Sequence, residues 1–139
     1  MLTGWKQVNG YWYYLNPTET SSYKLGEALK GWHKIDGAWY CMNADYHMLT
    51  GGPHLLDGNK FIFASNGKML TGWQQAGGKW YYLNPSDGKA KKGWYYDNSY
   101  QAWYYFEPSG TNMCQMLANT TRVIDGTTYK FAADGKWIQ

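Results

Sequence analysis

The sequence predicts an all-β chain, a β-solenoid of short stacked hairpins, and three observations carry that prediction. Aromatic residues make up 19% of the 139 residues, with 9 Trp and 14 Tyr, yet the mean hydropathy is −0.65. Gly is abundant at 17 while Leu, Ile and Val are sparse, so many small ring-bearing turns fit better than one aliphatic core. The string MLTGW stands at 1–5 and again at 69–73, MLTGG at 48–52, and YYLNP at 13–17 and 81–85, the self-similarity of a repeat array. There is no sustained 3.6-residue periodicity that would argue for helices.

The elements follow in order. Gly-Trp pairs open segments at Trp5, Trp32, Trp73 and Trp94. A second Trp follows seven positions on at Trp12, Trp39 and Trp80, and nine positions on at Trp103, so eight of the nine Trp form four pairs. Between the paired Trp lie Asn9-Gly10, Asp36-Gly37 and Gly77-Gly78, dipeptides that favour two-residue hairpin turns. The flanks, WYYL or WYCM, suit a pleated surface. A lone hairpin is marginal in water, so neighbours must stack to bury the rings. Six units result, at 3–30, 31–50, 51–71, 72–92, 93–119 and 120–139. The third and sixth lack the Trp pair and resemble each other, LLDGNKFIFASNGK beside VIDGTTYKFAADGK, at an offset of 68 that also separates Trp5 from Trp73. In WYYL, Trp80 and Tyr82 project to one face and Tyr81 and Leu83 to the other, so one face can hold a ligand and the other the core. Tyr40, Tyr81 and Tyr104 are read as core residues.

Other chemistry finds little support. The net charge of +3 is too small to argue for nucleic acid. No apolar stretch approaches the roughly 20 residues of a membrane span. The chain opens on MLTGW without a charged-then-apolar leader, and Met1-Leu2-Thr3 matches the tail of a preceding repeat, so a piece of a longer protein is expected. Cys41 and Cys114 are too few for a disulfide scaffold and are read as free thiols. His33, His47 and His54 have no metal-ligand spacing, and Asp36, Asp57 and Asp125 belong to Asp-Gly turns. No nucleophile or phosphate-binding motif occurs, so no catalytic group, metal or cofactor is expected.

The segment GWQQAGGKWYYLNPSDGKAKKGW resembles the choline-binding (cell-wall-binding) repeat family, as in the modules of choline-binding surface proteins and wall lytic enzymes, and the likeness covers essentially the whole chain. The resemblance implies a left-handed superhelix of hairpins. It implies a non-catalytic extracellular module that binds choline or phosphocholine on teichoic acids of a Gram-positive wall. Each choline would sit between the two Trp of one hairpin and an aromatic of the next. Taking that third ring two positions after the next hairpin's second Trp, the complete site is Trp73, Trp80 and Tyr105. Trp5 and Trp12 would meet Cys41, Trp32 and Trp39 would meet Ile62, and Trp94 and Trp103 would meet Lys130. Met48 and Met69 are candidates for the cage floors. The same aromatic platforms would also suit a carbohydrate-binding array, and the Trp pairs are what favour a small cation. Phe61, Phe63, Tyr129 and Phe131 on the Trp-less repeats are expected to offer contacts to a second copy, giving a homodimer, if they are exposed.

Overall fold

The computed structural model describes residues 2–19 and 24–139. Met1 and positions 20–23 of the first repeat lie outside the described residues. The described residues form thirteen strands and no helix. Antiparallel pairing joins β1 (Gly4–Val8) to β2 (Tyr11–Leu15), β3 (Gly31–Ile35) to β4 (Ala38–Met42), and β5 (Gly51–Leu56) to β6 (Asn59–Phe63). It likewise joins β7 (Gly72–Ala76) to β8 (Lys79–Leu83) and β9 (Gly93–Asp97) to β10 (Ala102–Phe106). The last sheet has three strands, β11 (Thr120–Ile124), β12 (Thr127–Phe131) and β13 (Trp137–Ile138). The all-β hairpin architecture is the one the sequence predicts.

The turns are two residues long where the sequence places Asn-Gly, Asp-Gly or Gly-Gly. Asp36 and Gly37 have φ of 49° and 84°, and Ile35 pairs directly with Ala38. Two successive positive φ angles define the turn whose twist matches the flanking strands. The β9–β10 turn is longer: Asp97 pairs with Ala102, and its carboxylate accepts from the Ser99 and Tyr100 amides at 2.9 and 3.0 Å. That accounts for the nine-residue spacing between Trp94 and Trp103.

After each hairpin the chain doubles back as a tail. Leu15 bridges Ala28, Met42 bridges Met48, Phe63 bridges Met69, Leu83 bridges Ala90 and Phe106 bridges Met116. In the sixth sheet the equivalent partner of Phe131 is Trp137. The tails also tie neighbours together. Met48 N–H donates to the Trp12 carbonyl at 2.9 Å while the next amide, Leu49, donates to Cys41 of its own hairpin at 2.9 Å. Met116 and Leu117 do the same toward Trp80 and Tyr105, at 3.0 and 2.9 Å.

The chain divides into two compact units, residues 1–52 with 62–69, and residues 53–61 with 70–139; β5–β6 contributes to both. In the first, Leu29, Ile35, Tyr40 and Met42 form a buried cluster with Trp5, Tyr14, Ala38 and Met48 against it. In the second, Leu117, Ile124 and Phe131 are packed by Trp94, Tyr105, Tyr129 and Trp137. In five of the six hairpins one large side chain at the end of the second strand is sealed off, Met42, Phe63, Leu83, Phe106 and Phe131, while Leu15 of the first is half-buried. This corrects the expected contact role of the Trp-less repeats. Phe61, Phe63 and Phe131 are buried because they lie on inward strand positions, and the exposed large apolar residues there are Leu55, Val123 and Ile138. Cys41 and Cys114 are free and buried, and burial pushes both thiols up from their ordinary value.

Candidate functional site

The site is built from a recurring corner of rings. The paired Trp stand on opposite strands of one hairpin, on the same face and close to perpendicular. Trp5 and Trp12 have centroids 6.5 Å apart at 84°, and Trp32 and Trp39 6.5 Å apart at 76°. Trp73 and Trp80 lie 6.4 Å apart at 76°, and Trp94 and Trp103 6.2 Å apart at 89°. The second Trp of each pair keeps about two-fifths of its surface in water, from 39% at Trp12 to 43% at Trp39. Exposed Trp at one repeated position is costly in water unless something covers it.

A third ring closes the corner, and it is not the residue expected. Trp73 meets Tyr104 at 4.8 Å, whereas Tyr105 packs on Trp94 of its own hairpin at 5.0 Å. Trp5 meets Tyr40 at 4.9 Å rather than Cys41. Trp94 meets Tyr129 at 4.8 Å rather than Lys130. Trp32 has Phe63 at 5.5 Å, which puts the neighbouring Ile62 on the opposite face of β6. The physical reason is strand alternation. Tyr105 pairs with Trp94 across the ladder and shares its face, so it points away from the preceding hairpin. One step along the strand, Tyr104 points back toward it. Tyr40 and Tyr104 are core residues as expected, 8% and 3% exposed, and they also floor the corners.

Three cavities mark these corners. Trp5, Trp12, Tyr40, Met48 and Asn66 line one of about 260 Å³. Trp94, Trp103, Tyr129 and Trp137 line another of about 260 Å³. Trp73, Trp80, Tyr100, Tyr104, Met116, Asp134 and Lys136 line the third, about 380 Å³. Met48 thus takes the floor position anticipated for it, and Met69 holds the corresponding backbone place by donating to the Trp39 carbonyl at 2.9 Å. Trp137 and Tyr100 were not singled out from the sequence. Trp137 stands 68 positions after Met69, so the offset already carried the signal; Tyr100 is delivered by the longer β9–β10 turn.

The floor methionines are seated on glycine. A Cβ on Gly67 would fall 2.2 Å from Met48 Sδ, and one on Gly135 would fall 2.3 Å from Met116 Sδ. Both glycines have positive φ, 88° and 90°. The surrounding polar groups are mostly satisfied. His47 stacks on Tyr11 at 3.8 Å and shares a 2.9 Å hydrogen bond with the Tyr13 hydroxyl. Arg122 donates twice to Glu107, at 2.8 and 3.0 Å, which holds the Glu107 carboxyl below its ordinary range.

Perpendicular ring faces around a small cavity suit a compact cation without N–H donors. Such an ion gains from the ring quadrupoles and cannot use a hydrogen-bond acceptor. Each ring contributes about 0.5–2 kcal/mol, so three give on the order of 2–5 kcal/mol before entropic costs.

Residues 49–91 and 70–120 match the family described as choline-binding repeat, together running through more than half of the chain. The chain belongs to the choline-binding repeat family. Residues 3–19 and 30–45 match a second description, cell wall binding repeat. Among solved structures, the chain is similar to choline binding protein F from Streptococcus pneumoniae, 38% identical with a TM-score of 0.75, over 100% of this chain and 41% of that one. It is also similar to the pneumococcal cell wall endolysin from phage Cp-1, a structure complexed with choline, at 27% identity and TM-score 0.63, over 99% of this chain and 37% of that one. The modular autolysin LytC from Streptococcus pneumoniae, 20% identical with a TM-score of 0.66 over 98% of this chain and 33% of that one, shares the fold. The chain therefore spans about two-fifths or less of these three relatives. A search of curated protein sequences returns no match.

Proposed function

We propose that the chain is a non-catalytic wall-targeting module that holds choline or phosphocholine of teichoic acids in its aromatic corners, on the outside of a Gram-positive cell. The observation that carries this reading is the perpendicular Trp pair closed by a tyrosine of the following hairpin, found at Trp5–Trp12–Tyr40, Trp73–Trp80–Tyr104 and Trp94–Trp103–Tyr129. The six sequence units of 3–30, 31–50, 51–71, 72–92, 93–119 and 120–139 act together as one such module within a longer protein. The near-perpendicular setting of the paired rings suits a compact cation better than the flat stacking of a sugar face. The choline in the solved phage endolysin supports the same ligand. Each corner binds weakly, and several corners on one chain hold a polymeric wall through effective concentration.

The test is retention on an immobilised quaternary amine. The protein should elute with free choline and not with sodium chloride at equal strength, because ring contacts act at short range and resist screening. Elution by salt alone would reduce the interaction to surface charge.

A further inference from the structure

Asp97 is 5% exposed, and none of its hydrogen-bond partners carries a charge. Its Oδ2 accepts from Trp73 Nε1 at 2.8 Å and from the Tyr95 hydroxyl at 3.4 Å. Its Oδ1 accepts from the Ser99 and Tyr100 amides. Burial alone would raise this carboxyl, but the bonds from Trp73, Tyr100, Ser99 and Tyr95 outweigh it and hold Asp97 below its ordinary range, so it is ionised at neutral pH. A buried anion is normally matched by a cation. Here all four donors are neutral, with the ammonium groups of Lys91 and Lys136 standing beyond them, over the Tyr95 ring at 5.6 Å and over the Tyr100 ring at 5.8 Å. Two of the donors, Trp73 and Tyr100, are themselves walls of the 380 Å³ cavity. The negative field reaches the cavity floor: burial, then Asp134 and Asp97, push the Tyr104 hydroxyl up to about 12. Asp134 lines the same cavity but is exposed, so its charge is screened by solvent, and its Oδ1 accepts from the Lys136 backbone amide.

We propose that Asp97 is a specificity-determining positioning residue: it locks the Trp73 indole and supplies the buried negative charge whose counter-ion is the bound quaternary ammonium. This deepens the choline reading and rests on it. The cage at Trp73 and Trp80 should discriminate a cation from a neutral molecule of the same shape more sharply than the cage at Trp94 and Trp103, whose lining is four rings.

The experiment is a titration of the full chain followed through the indole N–H resonances in NMR, assigned by single Trp→Phe variants. The ligands are choline and its uncharged isostere 3,3-dimethyl-1-butanol. In the unaltered protein, the ratio of choline to isostere affinity should be larger at Trp73 than at Trp94. Asp97→Asn keeps one acceptor oxygen, for the Ser99 and Tyr100 amides, but turns an NH2 toward the Trp73 indole, so it removes the charge and the lock together; it should cut choline affinity at Trp73 roughly tenfold and isostere affinity by clearly less. Equal ratios at the two cages, or an equal loss for both ligands in Asp97→Asn, would overturn the role of Asp97. The comparison within the unaltered chain decides the matter even if the variant does not fold. Choline that moved no indole resonance would instead sink the choline reading itself.

Discussion

Tyr104 and Tyr105 are chemically identical neighbours with different partners, and a substitution separates them. Tyr104→Leu removes the ring that closes the corner at Trp73 and should weaken choline there by about tenfold. Tyr105→Leu should leave that corner intact and disturb the packing under Trp94 and Phe131, which Tyr105 contacts at 5.0 and 6.5 Å. Site-resolved titration of the two variants checks both outcomes, and equal losses at Trp73 would mean that the step along the strand is irrelevant. The Trp pairs themselves were legible in the sequence, because no aliphatic core requires indoles seven residues apart. The third ring was not. The face that a tyrosine presents to the preceding hairpin is set by how the tail docks, and the string WYYF carries no mark of that.

At the scale of the element, the hairpins were legible from their turns, since Asn-Gly, Asp-Gly and Gly-Gly tolerate the positive φ that a two-residue connection demands. The tails were harder to read. Their order comes from amides that reach two hairpins at once, and backbone donors leave no trace in residue type. The one sequence signature is the glycine beneath each floor methionine. Gly135→Ala would place a methyl against Met116 while φ stays at 90°, a conformation that costs an alanine about 1–2 kcal/mol. The variant should melt earlier and bind choline less well at Trp73, because Met116 lines that cavity and a displaced Met116 intrudes on it. Thermal unfolding with a parallel choline titration tests this; a lower midpoint with unchanged binding at Trp73 would show that Met116 moves elsewhere.

For the molecule as a whole, two of the perturbed carboxyls, Asp97 and Glu107, belong to the unit that contains residues 70–139. Both are lowered, so the stability they contribute is present above the ordinary carboxylate range of about 4 and is lost as pH falls through their depressed values. Melting followed by Trp fluorescence should therefore show the midpoint falling as the pH drops below about 4, with a shallower fall in Glu107→Gln. An unchanged midpoint across that range would mean that these bonds persist in the unfolded chain. The tail amides have a consequence of a mechanical kind. The Met116 amide clasps the Trp80 carbonyl while the Met116 side chain lines the cavity beside Trp80, so the place where a ligand is gripped is also the place where one hairpin is fastened to the one before it. A pull on an anchored chain then loads the grip on the ligand and the fastening of the protein in parallel, and an occupied cage resists being peeled open by the very tether it holds.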